Sequence, residues 1–321
     1  MKFNTRFVVI ILILMVFVTG CNLKKSENLE ERVLKIGVLQ IDDSLPFFVA
    51  EAENLYNKHN VKVELIPFGS ARDKDVALES GEIDGVLTDM IVTGLLKKGG
   101  TNVKITALAF GVTPEEGRFA ILASPQSTIS QPNDLKDVPI AISNNTIIHY
   151  LAEKMPLEAG LKKEDITTQS IPDLNIRLEA LVSGKDVQAA ILPDPLATLA
   201  EKMGAKVIID DTKLNKNLSQ SVLIFREEVI RNYRGKVVSL LKAFEEAGQM
   251  LNNNPEKYYE IRMEKTRVPE PLRGSYPAPT YSPLAVPDPE MVKDVMDWMV
   301  EKNLLGKPFS YEEIVDKSLI E

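Results

Sequence analysis

The sequence is poor in the residues that most chemistry uses. It holds one cysteine, Cys21, so no disulfide can form within the chain. Its two histidines, His59 and His149, lie far apart and give no zinc or iron ligand spacing, so no metal is expected. Aromatic residues make up only 6%, and Trp298 is the single tryptophan. The chain has neither a phosphate-cradling GxxxxGK[ST] loop nor a GxSxG nucleophile elbow, and no local motif supports a paired-carboxylate hydrolase. Basic residues are outnumbered, 38 against 46 acidic ones. The resulting net charge of −8 argues against nucleic acid as a partner, because such binders show basic patches. No catalytic residue and no cofactor is expected on these grounds.

Long apolar runs are equally scarce. The first is Phe7 to Val18, 12 residues behind the basic Lys2 and Arg6. It is too short to span a bilayer comfortably and suits the hydrophobic region of a signal peptide. The run leads into Val18-Thr19-Gly20-Cys21, which resembles a bacterial lipobox, where the cysteine takes a diacylglyceryl group and becomes the new N-terminus. An ordinary signal peptide with a chance cysteine, or an uncleaved anchor, is the plainer alternative. The expectation is a lipoprotein signal peptide at 1–20, lipidation at Cys21, and a polar, flexible tether at 21–32. Such a protein is extracytoplasmic and lipid-anchored to the bacterial cell membrane.

From residue 33 onward, strand and helix signals alternate, which indicates α/β units on mainly parallel sheets. Strands are predicted at Val33–Leu39, Val61–Ile66, Ile83–Leu87, Val103–Phe110 and Arg118–Ala123. A second series follows at Val138–Ser143, Ile166–Ile171, Val187–Leu192 and Lys206–Ile209, with a last strand at Ser221–Phe225. Pro46 opens a helix at the first turn, where its missing N–H costs nothing. Ser70, three residues before Asp73, approximates a capping box. An internal echo links the two series. Ala77-Leu78-Glu79-Ser80-Gly81 precedes a short strand and Thr88-Asp89, and Ala180-Leu181-Val182-Ser183-Gly184 precedes a short strand and Pro193-Asp194. Coincidence is the bland reading, because Leu-x-Ser-Gly is a common helix ending. Thr266 to Pro289 carries seven prolines and cannot be a regular helix. It is expected to wrap the surface or cross between lobes. The stripe Met291, Val295, Trp298 and Met299 on the following helix is expected to be core.

Several segments together resemble the solute-binding proteins of ABC importers for nitrate, taurine, aliphatic sulfonates and thiamine-precursor pyrimidines. They are the lipobox, the opening strand Lys35-Ile36-Gly37-Val38, the helix start Pro46-Phe47-Phe48-Val49-Ala50, ALESGEIDGVLTD at 77–89, AAILPDPLATLA at 189–200, and the closing 288–316. The resemblance implies a type II periplasmic-binding-protein fold, two α/β lobes hinged by two crossover strands, with the solute in the cleft and no catalysis. It implies a monomer that delivers a small-molecule ligand to ABC permease and ATPase subunits. The first lobe would be 33–123 plus 221–321 and the second 124–220. An enzyme on the same scaffold and a ligand-sensing module of a membrane receptor are the alternatives. A relative, the eukaryotic pyrimidine synthase, consumes its own histidine, and no His-rich or Cys-rich segment here supports that chemistry.

Ligands of open α/β sheets bind beyond the carboxyl ends of strands. The candidate ligand-binding residues are therefore Gln40, Asp42, Ser44, Ser70, Thr88 and Asp89 in the first lobe. In the second they are Ser143, Asn144, Asn145, Thr146, Asp173 and Asp194. Each has a plainer role available: Ser70, Asn144 and Asp173 as helix caps, Asp42 as a solvated turn residue. Helix N-termini at Ser70 and Asn144 would favour an anion. Four carboxylates, Asp42, Asp89, Asp173 and Asp194, would oppose one. Arg72 and Arg118 could shift that balance. The residues lean towards a neutral or cationic nitrogen compound and leave its identity open.

Overall fold

The β-branched run VLKIGV forms strand β1 (Val33–Val38), the first of ten strands in the computed structural model, which describes residues 32–320. The signal peptide, Cys21 and all but the end of the tether lie outside the described residues, and the chain from Val33 onward is one compact unit. Chain order continues with helices α1 (Leu45–Ala52) and α2 (Leu55–Lys58), β2 (Lys62–Pro67), α3 (Ala71–Ser80), β3 (Gly85–Thr88), α4 (Met90–Lys98) and β4 (Val103–Phe110). It then builds β5 (Phe119–Ala123), β6 (Pro139–Ile142), α5 (Ile147–Glu158), β7 (Thr167–Ser170), α6 (Leu174–Ser183), β8 (Ala189–Pro193), α7 (Leu196–Lys202) and β9 (Lys206–Asp210). Strand β10 (Ser221–Arg226) leads into the long helix α8 (Glu227–Asn253), α9 (Tyr259–Lys265), α10 (Pro289–Glu301) and α11 (Tyr311–Ile314).

Two five-stranded sheets result, ordered β2-β1-β3-β10-β4 and β7-β6-β8-β5-β9. The orders match strand for strand. In the first, β1 is parallel to β2 and β3, and β10 runs antiparallel between β3 and β4. In the second, β6 is parallel to β7 and β8, and β5 runs antiparallel between β8 and β9. The echoed helix endings occupy equivalent places: α3 stops at Gly81 (φ 80°) and α6 at Gly184 (φ 63°), each just before the central strand of its sheet.

The lobe boundary differs from the sequence expectation. The sequence puts 118–123 at the end of the first lobe, yet every residue from Phe119 to Ala123 pairs with β8 in the second sheet. Its apolar residues gave no sign of which sheet would take them. The crossings are therefore 111–118 and 211–220. Each leaves one sheet at the carboxyl edge of its parallel strands and enters the other at the start of an antiparallel strand, again at the carboxyl edge. The two carboxyl edges are thus joined to each other. The crossings also touch, since Asn217 Nδ2 donates to Gly111 O at 2.7 Å. Gly111, at φ 76°, is required there because a Cβ would lie 2.2 Å from Ser219 O.

More than the two crossings holds the lobes. One apolar cluster runs from the second lobe's Tyr150, Leu151 and Met155 on α5 to Val295, Trp298 and Met299 on α10, and on to Met90 and Ile91 of α4. The stripe expected on α10 is thus core, with Met291 only partly buried against it. Polar contacts edge the joint. Trp298 Nε1 donates to Glu153 at 2.8 Å, and Tyr150 OH donates to Asp294 at 2.9 Å. Trp298 meets the rings of His149 and Tyr150 edge-on, with centroids 5.3 and 5.5 Å away. Among the described residues no helix is long and apolar enough to cross a membrane.

Candidate functional site

The carboxyl edge of the first sheet gathers a cluster of charges. Strand β1 runs out through Gln40 into a tight turn at Asp42–Ser44, which starts α1. There Asp43 accepts a short hydrogen bond from Ser221 at the start of β10. Because Val222 pairs with Thr88, Ser221 stands beside Asp89 at the end of β3. Lys74 of α3, only 1% exposed, donates to Leu87 O at 2.5 Å and lies 3.6 Å from Asp75. Burial raises Asp43 and Asp89 above the ordinary carboxylate range and Asp75 to about 6, and burial lowers the Lys74 ammonium.

The second sheet has the counterpart. Arg177 of α6 is fully buried and donates to Ile191 O (3.0 Å), Ile171 O (2.9 Å) and the Ser143 hydroxyl (2.5 Å). Ile36 pairs with Gly85, and Ile140 pairs with Ala189, so Leu87 and Ile191 are equivalent positions. Lys74 and Arg177 each stand three residues before the echoed Ala77 and Ala180. The two lobes therefore repeat one device, a buried cation on the helix holding the carbonyl near the end of the central strand. Burial pushes the Arg177 guanidinium down to about 10. Also in the second lobe, Arg118 lies 2.7 Å from Glu201, 2.8 Å from Asp210 and 3.5 Å from Asp194.

Several expected ligand residues are engaged in caps. Ser70 accepts from Asp73 N (3.2 Å) and Asp89 from Val92 N (2.8 Å). Thr146 caps α5, accepting from Ile148 N (3.2 Å), so the cap expected at Asn144 falls two residues later. Asn144 is exposed, and Asn145 adopts φ 60°. Asp173 is exposed and accepts from Asn175 N and Ile176 N, both at 2.9 Å. Asp194 accepts from Thr198 N (3.0 Å) and Oγ1 (2.9 Å). A cap leaves carboxylate lone pairs over, so these bonds do not by themselves remove the residues from a solute site. Ser44 is fully buried, and among the described residues its hydroxyl has no hydrogen-bond partner. Thr88 is half-buried at the end of β3.

Gln40 and Asp42 are held by the proline-rich segment and the helix before it. Arg262 grips both oxygens of Asp42, at 2.9 and 2.7 Å. Arg267 meets Gln40 twice, through its N–H to Gln40 O and its Nε to Gln40 Oε1, both at 3.0 Å. Asp42 is thus an ion-pair partner, where a solvated turn residue was the plain expectation. Lys74, Arg177, Arg262 and Ser221 were missed in the sequence. Lys74 and Arg177 were the legible ones. Arg177 falls on the apolar face of α6 with Leu174, Leu178 and Leu181, and Lys74 falls with Ala77 and Leu78 on α3. A lone cation on an apolar face is a mark of burial with a carbonyl partner.

A cleft of about 440 Å³ opens beside the second crossing, lined among others by Tyr150, Asn217, Gln220 and Asp294. None of the expected ligand residues lines it. Among the described residues, no group of three or more histidine, cysteine, aspartate and glutamate side chains could hold a metal ion.

Asp211, in the second crossing, offers a test of these electrostatics. It is 3% exposed and accepts from Phe119 N (2.8 Å) and the Ser219 hydroxyl (2.6 Å), and burial raises it to about 6. A carboxyl raised in the folded state holds its proton more tightly there than when unfolded. Its contribution to stability is therefore full below about pH 4 and falls as pH rises to about 6. Asp211→Asn keeps the acceptor for Phe119 and carries no charge. Thermal melts from pH 4 to 7 should show the variant gaining on the wild type as pH rises, by up to about 3 kcal/mol. A constant difference across that range would mean Asp211 is not raised.

Two five-stranded sheets of matching order, joined at their carboxyl edges, define a two-lobed type II periplasmic-binding-protein fold. The model of the NMT1-like family matches residues 27–262, and the chain belongs to that family. A Brachyspira hyodysenteriae protein provisionally named an ABC transporter periplasmic binding protein is 26% identical over 267 residues, covering 77% of this chain and 73% of that one. The periplasmic aliphatic sulphonate binding protein SsuA from Escherichia coli shares the fold at TM-score 0.73 and 22% identity, with 89% of this chain and 92% of that chain covered. The ligand-binding component of a Staphylococcus aureus ABC-type import system, solved with zinc bound, does so at 0.71 and 21%, covering 90% and 98%. The desulfurization enzyme DSZB also shares it, at 0.65 and 14%, covering 90% and 97%.

Proposed function

We propose that this chain is the extracytoplasmic solute-binding component of an ABC importer, and that its inter-lobe cleft takes a small solute rich in N–H donors or positive charge. Family membership, the two-lobed fold and the similar import proteins support the first part. The solute class rests on one observation: Asp43, Asp89 and Asp194, at the carboxyl edges of the two sheets, are all raised by burial. An anion placed among them would add to that cost, whereas an N–H donor or cation relieves it. The binding residues of this reading are Ser44, Thr88, Asp89, Ser143, Asn144, Asn145, Thr146 and Asp194, with Gln40, Asp42, Ser70 and Asp173 at the rim. The lobes are 33–110 with 221–321, and 119–210.

Native mass spectrometry of the purified protein, followed by calorimetric titration, tests both parts. Amines and aminopyrimidines should bind, and sulfonates and nitrate should not. Asp194→Asn and Asp89→Asn should each weaken binding about tenfold, the loss of one charged hydrogen bond. Tight binding of a sulfonate would overturn the solute class and leave the transport role standing. Conversion of a bound solute into a new mass would favour an enzyme, a reading that the DSZB likeness keeps in view.

The lipid anchor belongs to the same proposal. Cleavage before Cys21 and acylation of its sulfur would hold a monomer at the outer face of the membrane, within reach of the permease and ATPase subunits. Cys21→Ala should shift the protein from the membrane fraction to the soluble fraction, or stop its maturation. Unchanged fractionation without lipid on the wild type would remove the anchor.

A further inference from the structure

The segment between α9 and α10 touches both lobes. On the first lobe, Arg267 meets Gln40 twice at 3.0 Å, and Tyr281 OH donates to the Asp42 carbonyl at 2.8 Å. On the second, Lys202 of α7 donates to Pro271 O at 2.5 Å. Tyr276 stands between them. The Arg262 guanidinium lies over its ring, 4.8 Å from the centroid, while gripping Asp42. Burial, with the Asp194 and Asp42 carboxylates near it, raises the Tyr276 hydroxyl above its ordinary range. Contacts of the segment therefore run from the carboxyl edge of the first sheet, through Asp42, Arg262 and Tyr276, to α7 of the second lobe. Six prolines make the segment stiff, so a contact at one end constrains the other.

We propose that residues 266–288 form a clamp across one side of the cleft, with the Lys202–Pro271 contact as its pin, and that the clamp sets the separation of α7 from the Asp42 turn. Lys202 is thus a positioning residue. Its consequence for which solutes fit rests on the solute-binding reading above, but the clamp itself does not. Apart from the crossings and the α5–α10 joint, the lobes are tied through the clamp, and opening of the cleft on this side requires Lys202 to leave Pro271.

Hydrogen–deuterium exchange on the full chain, with no solute added, tests the clamp separately from solute binding. The amides of Leu272, Arg273, Ser275 and Tyr276 are bonded only within their own turns, so their exchange reports undocking of the segment. Lys202→Met changes a residue of the other lobe and removes the donor to Pro271 O. It should speed exchange at residues 272–276 by about tenfold, the factor given by one lost hydrogen bond, while β1 and β8 stay protected. A segment held by the first lobe alone would be indifferent to a change on α7. Unchanged exchange at 272–276 in Lys202→Met would overturn the clamp, whatever titration with solutes shows.

Discussion

Arg177→Met should lower the melting temperature by about 5–10 °C, the effect of a loss of about 3–5 kcal/mol in a domain of this size. Methionine fills much of the same space and donates nothing. The buried Ile191 O and the partly buried Ile171 O and Ser143 hydroxyl would each lose a donor. One effect opposes the loss. Burying the guanidinium is itself costly, as its pKa near 10 shows, and methionine removes that cost. The acceptors win because three are left at once. Arg177→Lys separates the contributions: it keeps the charge, lacks the planar fork, and should fall between wild type and methionine. Lys74→Met, the equivalent change in the first lobe, strands one carbonyl and takes the cation away from Asp75 and Asp89. A melt unchanged by Arg177→Met would mean the guanidinium does not hold the strand end.

Trp298→Ala should cost about 3–5 kcal/mol, the usual figure for emptying a buried aromatic site. The ring is 3% exposed and packs on the rings of His149 and Tyr150. Its loss opens a cavity between the lobes, so lobe coupling should loosen along with stability. Small-angle scattering should show a larger radius of gyration in the variant than in wild type. Trp298→Phe keeps most of the apolar contact and drops the donor to Glu153, so about 1 kcal/mol is expected from the hydrogen bond. If alanine and phenylalanine cost the same, the joint is not held by packing. Because Trp298 is the only tryptophan, its emission reports on this joint directly.

The joint changes how closure should be imagined. Two short crossings alone would let the lobes swing freely. With α5 packed on α10 and the clamp reaching α7, motion is confined to what those contacts allow.

Local patterns carried most of the fold into view. Strand runs such as VLKIGV and the two Ser-Gly helix endings lie within a few residues of the structural elements, because periodicity and capping are local. The site was harder. Asp89, Asp173 and Asp194 were legible as residues after strands, and all three cap helices, since the same position serves both ends. What the sequence withheld was pairing at a distance. Nothing near Phe119 announces a partner at Pro193, and nothing near Asp42 announces Arg262, some 220 residues away.

The strand order has a consequence for how the chain becomes a protein. The second sheet is built from one uninterrupted stretch and is complete once residue 210 is available. The first sheet is not, because β3 and β4 are held apart by β10, and until Ser221–Arg226 arrives the gap between them stays open. A chain emerging from its N-terminus therefore finishes its later half first. The earlier half must wait, with the apolar edges of β3 and β4 unpaired. That interval is where a chaperone, or an aggregating neighbour, would find this protein.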